Sequence, residues 1–270
     1  MWQRYNKICT YAKKIVPLHR FLSKRLEMTI LCIETSTSVC SAAICKDGVP
    51  VAQLISREGG NHAKLLPGYI EQLLDMPTGY RRDTDEIPTT ARNAIEAVAL
   101  SAGPGSYTGL RIGTSTAKGL CYGLNVPLIA VPTLQLLCEA AIQHPRMQET
   151  GPDVLLCPMI DARRMEVYTA LFDRQPAAQS DVQAVVVDEM FQPANRFVYF
   201  GDGAAKCQTV LKNPEYLYLP DIVPEAQYMG RLAEQMAQAG KLLNASEIAY
   251  YEPFYLKEFV AAQSHVKGLV

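Results

Sequence analysis

A glycine-rich loop is the first candidate for chemistry. The sequence Gly-Pro-Gly-Ser-Tyr-Thr-Gly at residues 103–109 joins a predicted strand to a predicted helix, where backbone amides and the helix dipole favour an anion such as phosphate. It matches neither common phosphate fingerprint, because a GxGxxG motif needs glycine at Thr108 and no Gly-Lys-Ser/Thr string is present. A second interpretation stays open, in which Gly103 and Gly105 form a tight turn that lets strand and helix pack closely.

A hydroxyl-rich turn is the second candidate. Glu34, Thr35 and Ser36 follow the first predicted strand and are continued by Thr37 and Ser38. Such hydroxyls can donate hydrogen bonds to phosphate, and they equally cap a turn. The sequence leaves both roles open. Together the two loops supply the candidate cofactor-binding residues, which are Glu34, Thr35, Ser36, Gly103 and Gly105.

Residue types for metal or nucleophilic chemistry are sparse. Of the four histidines, none is spaced three or four residues from another histidine, cysteine or carboxylate in the manner of a metal site. No Ser/His/Asp or Cys/His set can be assembled from the sequence. We therefore predict neither catalytic residues nor a metal site.

Composition places the chain among ordinary globular proteins. Apolar residues make up 49% and charged residues 20% of the 270 residues. A net charge of −1 lacks the basic excess of a direct nucleic-acid binder. The eight cysteines show no CxxC spacing, which is typical of reduced, buried thiols in a cytoplasmic protein. No apolar run reaches the roughly 18 residues that a membrane span needs.

The first 27 residues differ from the rest. They hold seven Lys/Arg and one acid, and charged residues interrupt every apolar run, unlike a secretory signal. Pro17 would break an amphipathic helix. A clean strand begins directly after Met28. We predict residues 1–27 to be a basic extension that is disordered or precedes the true start.

Hydrophobic periodicity predicts two α/β lobes, residues 28–133 and 134–270, each with a mixed sheet flanked by helices. Residues 76–93 look like an exposed insertion. Strands are predicted at 29–34, 39–45, 49–56, 95–101, 126–131, 154–160, 165–172, 182–187 and 196–200, and helices at 62–75, 109–124, 133–143, 203–211 and 225–240.

Two strings carry a resemblance to a known family. Ile-Leu-Cys-Ile-Glu-Thr-Ser at 30–36 and Ala-Leu-Ser-Ala-Gly-Pro-Gly-Ser-Tyr-Thr-Gly-Leu-Arg-Ile-Gly at 99–113 resemble the hallmarks of the TsaB family, also called YeaZ. Further matches run in order from residue 61 to Tyr255-Leu256-Lys257, so the resemblance covers nearly the whole chain after the basic extension.

The resemblance implies a two-lobed actin-like, Hsp70-like ATPase fold of the RNase H-like type. It implies a non-catalytic scaffold subunit, required to form N6-threonylcarbamoyladenosine at position 37 of tRNAs that read ANN codons. The implied partners are a TsaD-like transferase and a TsaE-like ATPase, with tRNA met through the complex. A homodimer, and ATP or ADP at the complex interface, are left open.

Departures from related motifs are informative. The resemblance places Thr133 and Leu137 where TsaD carries its two metal-binding histidines, and leucine cannot ligate a metal. Glu34 and Ser36 replace the Asp and Gly of the superfamily's first phosphate hairpin, which argues against ATP hydrolysis. The alternative is a metallopeptidase-like or sugar-kinase-like enzyme of the same superfamily.

Two helices of the first lobe are candidates for partner binding. Helix 62–75 carries Leu65, Tyr69 and Leu73 along one line, and helix 109–124 carries Gly113 and Ala117, small residues that allow another helix to come close. We expect these five residues to contact the partner, so that arginine at 73 or 117 would block association without unfolding the chain. The other interpretation is that both helices merely cover their own sheet.

Overall fold

A computed structural model of the protein describes residues 28–77 and 90–257. The predictions for residues 1–27 and for most of the insertion at 76–93 lie outside these described ranges, as does the C-terminal tail from residue 258. Within the described ranges, no helix combines the length and apolar character needed to cross a bilayer.

The first sheet has five strands in the order β3-β2-β1-β4-β5. Neighbours β1, β2 and β3 are antiparallel, whereas β1–β4 and β4–β5 are parallel. Asp47 and Gly48, at φ 52° and 76°, form the tight hairpin between β2 and β3. The strands are β1 Thr29–Glu34, β2 Cys40–Lys46, β3 Val49–Ser56, β4 Ala97–Ser101 and β5 Leu128–Val131.

Three helices belong to this lobe: α1 His62–Leu74, α2 Ala91–Ala94 and α3 Tyr107–Leu124. Alternate residues of β1 point to opposite faces of the sheet. Leu31 packs in the cluster that contains α1 and α3, and Ile30 packs in a cluster on the other face. The two long helices therefore cover one face of the first sheet.

The second sheet repeats the first in topology, with the order β10-β9-β6-β7-β8. Its meander β6-β7-β8 is antiparallel, and β9 and β10 add in parallel. This confirms the prediction of two mixed sheets flanked by helices. The elements are α4 Thr133–Ile142, β6 Leu155–Asp161, β7 Glu166–Thr169, β8 Gln183–Val186, β9 Phe197–Phe200, α5 Ala204–Cys207 and β10 Tyr216–Tyr218.

The chain then returns to the first lobe, which differs from the assignment of residues 134–270 to the second. After a 3-10 turn at Ala226–Tyr228, helix α6 Met229–Gln238 packs on the uncovered face of the first sheet, and α7 Ala245–Tyr250 packs beside α3. Periodicity shows that α6 is amphipathic, but it does not show which sheet the apolar stripe covers.

Three further elements differ from the sequence prediction. The helix expected over 203–211 is only the single turn α5, and neither β10 nor α7 was predicted. The side chain of Asn61, the residue that precedes α1, makes no capping hydrogen bond. These are short or terminal features, for which local patterns are weakest.

The described cysteines are buried, free thiols, as predicted. They occupy core positions on both sheets, for example Cys32 in the first and Cys157 in the second. Burial raises the pKa of the Cys157 and Cys121 thiols to about 12, which keeps them protonated and unreactive.

Helix α3 lies unusually close to the turn after β1. Thr35 Oγ1 donates a hydrogen bond to the Gly109 carbonyl at 2.8 Å. A Cβ at position 109 would lie 2.0 Å from the Thr35 carbonyl oxygen, and one at position 113 would lie 2.4 Å from Thr35 Oγ1. Gly119, farther along the same helix, has open space around its missing Cβ. Close backbone approach thus requires glycine in the first half of α3 and not in the second.

We predict that Gly109→Ala lowers the free energy of unfolding by about 3 kcal/mol, because the new methyl overlaps backbone that cannot move independently. Gly119→Ala is the matched control and should raise it by up to about 1 kcal/mol through helix propensity. Urea unfolding followed by circular dichroism measures both changes. Equal effects of the two substitutions would contradict this account of α3.

Candidate functional site

A cleft of about 840 Å³ lies between the two lobes. Ser36, Ser38 and the loop from Gly105 to Gly109 form the first-lobe wall, and Asp161, Arg163 and Asp202 lie on the second-lobe wall. The volume falls in the range of small-molecule sites. The cleft is therefore the place where ligand chemistry must be sought.

The two candidate loops contact each other at the first-lobe wall of this cleft. Ser106 donates its backbone N–H to the Ser36 carbonyl at 2.6 Å. A Cβ at Gly105 would lie 2.3 Å from that same oxygen. Gly103 has a φ of 102°, and a Cβ there would lie 2.4 Å from the Phe254 carbonyl oxygen. The glycines thus make room for neighbouring backbone, which favours the tight-turn interpretation.

Several amides of these loops already have partners. Gly103 donates to Thr133 Oγ1 at 3.1 Å, and Gly109 donates to Ser106 Oγ at 3.3 Å. Ser36 donates its backbone N–H to Glu34 Oε1. A phosphate would have to compete for these donors, so the loop differs from a cradle whose amides point freely at a ligand.

Of the five candidate cofactor residues, only Ser36 and Gly105 line the cleft. Glu34 and Thr35 are buried behind the wall, and Gly103 faces the segment around Phe254. The structure brings all five together around one turn. Their part in binding a cofactor stays a prediction.

Glu34 is a fully buried carboxyl group. Its Oε1 accepts hydrogen bonds from the Ser36 N–H and hydroxyl at 2.5 Å each, and its Oε2 has no hydrogen-bond partner among the described residues. Burial raises the pKa of Glu34 to about 7, and Asp202 in the second lobe adds to the rise, although the Ser36 hydrogen bonds oppose it. The carboxyl therefore titrates near neutral pH.

The second-lobe wall of the cleft is acidic, but its carboxylates have hydrogen-bond and ion-pair partners within the same lobe. Asp202 Oδ1 accepts the Asp161 N–H at 3.0 Å, and Lys206 forms an ion pair with Asp161. The Asp202 side chain is accessible from the cleft, yet desolvation by the cleft walls still raises its pKa. Within residues 28–77 and 90–257, no three His, Cys, Asp or Glu side chains are grouped so as to hold a metal ion.

The side chains of Thr133 and Leu137 both take part in the packing of the protein. Thr133 Oγ1 accepts the Gly103 N–H, and Leu137 is fully buried in the core of the second lobe. These positions, which the resemblance places at the metal ligands of TsaD, here support packing at the start of α4.

The expectation that Leu73 and Ala117 are available to a partner is wrong. Both are buried against the first sheet, and Gly113 is buried against Thr35. Arginine at either position would disrupt the core of the monomer. Leu65 and Tyr69 are half-buried and also pack against this core. Gly113 and Ala117, the small residues of α3 that are expected to contact a partner, instead allow close packing within the first lobe.

Helices α1 and α3 leave open a surface that the sequence did not predict. Between the outer faces of the helices lies a groove of about 320 Å³, which we call the α1–α3 groove. Farther along the outer face of α3, Gly119 is exposed and Tyr122 is 92% exposed. The spacing of Ser115, Gly119 and Tyr122, opposite the buried Ala117, was the available signal. The groove is lined by Ala63, Pro67, Arg111, Ile112, Ser115 and Thr116.

We predict that Glu34→Gln flattens the pH dependence of stability. The pKa of Glu34 rises from 4.5 to about 7 on folding, so the folded state binds more protons than the unfolded state between these values. Stability from this group is therefore present below pH 4.5 and lost as the pH rises through 7, by roughly 3 kcal/mol. Glutamine keeps the acceptor for Ser36 and cannot ionise.

Urea unfolding from pH 4.5 to 8 measures this effect, and Glu189→Gln, which removes an exposed carboxyl, is the control. The stability of the Glu34→Gln variant relative to the wild type should increase with pH across this interval. An identical pH profile for the two proteins would show that Glu34 does not ionise as described.

Comparisons with known proteins agree on one family. A family model described as TsaD, tRNA N6-adenosine threonylcarbamoyltransferase, matches residues 61–258. The "tRNA threonylcarbamoyladenosine biosynthesis protein TsaB" of Escherichia coli K12 is 31% identical over 250 residues, which is 87% of this chain and 96% of the relative. The protein of the same name from Bacillus subtilis 168 is 27% identical, over 85% of this chain and 94% of the relative.

The solved structure of YeaZ from Pseudomonas aeruginosa superimposes with a TM-score of 0.68 at 24% identity, over 85% of this chain and all of that one. The likeness shows that this chain shares the fold of that protein, with two mixed sheets flanked by helices. The matches to TsaB proteins extend over nearly their full length. The chain belongs to the TsaB (YeaZ) family.

Proposed function

We propose that this chain is a non-catalytic scaffold subunit in the biosynthesis of N6-threonylcarbamoyladenosine on tRNA, and that it acts by binding a TsaD-like transferase. The observation that carries the proposal is the α1–α3 groove, which the described part of the fold leaves uncovered. Family membership supplies the pathway, because relatives of similar length carry that biosynthesis in their names.

A scaffold role is supported by the residues at the positions that the resemblance places at the metal ligands of TsaD. Leu137 fills core space and Thr133 holds the glycine loop. In the loop itself, the Ser106 N–H is bonded to the Ser36 carbonyl. The residues at these positions stabilise the lobe. No specific observation favours the metallopeptidase-like or sugar-kinase-like alternative.

The α1–α3 groove, together with the outer face of α3 beyond it, has the composition of a helix-docking surface. Ser115 and Gly119 are small, so a partner helix can approach the backbone of α3 closely. Arg111 and Tyr122 flank them, and these residue types are frequent among those that dominate interface energies. The TsaD-like transferase is the proposed occupant, while a second copy of this chain would use the same face in isolation.

The finer assignments of this proposal rest on the family resemblance. With a net charge of −1, the chain meets tRNA through the complex rather than alone. The modified position 37 in tRNAs that read ANN codons, the TsaE-like ATPase as a third component and the cytoplasmic location belong to this proposal. An ATP or ADP site at the complex interface stays a prediction.

We predict that Gly119→Arg abolishes detectable binding to the TsaD-like transferase while the chain remains folded. The Cβ of residue 119 meets open space, so the fold tolerates the side chain, but a partner helix would meet a bulky charge. A loss of a few kcal/mol turns micromolar binding into none detectable. Tyr122→Ala should weaken binding about tenfold or more, as expected for a central aromatic contact.

Ala205→Arg, an exposed position on α5 in the second lobe, is the matched control and should bind normally. Calorimetry gives the affinities, and circular dichroism verifies folding. Wild-type affinity in both Gly119→Arg and Tyr122→Ala would place the interface on another face.

Reconstitution tests the function itself. We predict that the TsaD-like transferase, supplied with the other components, modifies tRNA at least tenfold faster with this chain than without it, and that this chain alone yields no modified nucleoside. Mass spectrometry of digested tRNA measures the product. Modification by this chain alone, or full activity without it, would contradict the scaffold role.

A further inference from the structure

The segment that follows α7 lies along the cleft between the lobes. Residues 251–257, which we call the C-terminal strap, begin on the first lobe beside α7. The Phe254 N–H donates to the Ala102 carbonyl at 2.7 Å. The last described residue, Lys257, forms an ion pair with Glu166 of β7 in the second lobe. The strap therefore crosses from one lobe to the other.

Its attachment to the first lobe is close. The Phe254 carbonyl occupies the space that a side chain on Gly103 would need. The centroids of the Tyr255 and Tyr107 rings are 4.8 Å apart. The Arg111 guanidinium lies 5.5 Å from the centroid of the Tyr107 ring. Backbone and aromatic contacts together fix this end of the strap.

Its attachment to the second lobe is polar and partly open to solvent. The side chains of Lys257 and Glu166 are 39% and 25% exposed. The Lys257 ammonium group also lies 5.9 Å from the Tyr168 ring centroid. An ion pair at such exposure is weakened by salt and breaks readily. The second-lobe end is thus more easily released than the first-lobe end.

The strap also forms part of the cleft wall, through Tyr255, Leu256 and Lys257. The lobes have another contact where α4 packs against α6, at the ion pair of Arg231 with Glu139. That contact is away from the residues that line the cleft, none of which belongs to α4 or α6. The strap is therefore an interlobe contact that borders the cleft, whereas the α4–α6 contact does not.

We propose that the C-terminal strap is a latch that holds the two lobes closed over the cleft, with the Lys257–Glu166 pair as its releasable end. Release of this pair frees residues 255–257 from the second lobe. The loops at residues 36–38 and 161–163, one on each wall, then become more accessible to water. The inference does not depend on the proposed scaffold function.

Hydrogen–deuterium exchange of the full chain tests the latch. Lys257→Glu and Glu166→Lys each place like charges together, and each should raise the exchange rate of peptides covering 36–38, 161–163 and the strap by about threefold to tenfold. The double variant, Lys257→Glu with Glu166→Lys, restores opposite charges and should return the rates to those of the wild type.

Arg196→Glu is the control, because it breaks an exposed ion pair with Glu215 that lies within the second lobe. It should leave exchange in the cleft unchanged. Tyr255→Ala, which removes the first-lobe ring contact, should raise the same rates as the charge reversals. Unchanged rates in the single charge reversals would overturn the proposal. A double variant that exchanges as fast as the singles would also overturn it, because the pair would then not be the closing contact.

Discussion

The backbone of the turn after β1 lies directly against the glycine loop and α3, with no room for side chains between them. The approach requires glycine at 105, 109 and 113, where a Cβ would come within 2.0 to 2.4 Å of Thr35 or Ser36 atoms. It sets the position of α3 on the first sheet, and through α3 it sets the α1–α3 groove and the base of the strap. The Ser106–Ser36 hydrogen bond ties the two loops together.

This constraint explains why several amides of the glycine-rich loop have protein partners and do not point freely at a ligand. Glu34 holds the turn from within by accepting from Ser36, and burial favours its protonated form up to about neutral pH. A carboxyl so placed stabilises the turn and is not presented to the cleft, since the cleft lining begins at Ser36. The same residues that could have contacted a ligand are used to join β1 to α3.

The sequence predicted most of the longer elements well, because strand alternation and the helical period are local signals. The outward face of α3 was not predicted although Ser115, Gly119 and Tyr122 follow the helical spacing, because small residues on several sides of a helix leave no unambiguous apolar stripe. The sequence also could not predict that α6 returns to the first sheet. That choice depends on which sheet face is left uncovered, which is a property of the whole fold.

Helix α3 contacts the turn after β1 and the C-terminal strap, and it forms one side of the α1–α3 groove. Its inner side packs on Thr35, its first residue, Tyr107, holds Tyr255 of the strap, and Arg111 both lies over Tyr107 and lines the α1–α3 groove. A guanidinium in this position contributes to two surfaces at once, so the groove and the strap are not independent. Residues 107–113, the part of the family string that lies in α3, are therefore explained by packing demands on this helix, and they do not by themselves imply catalysis.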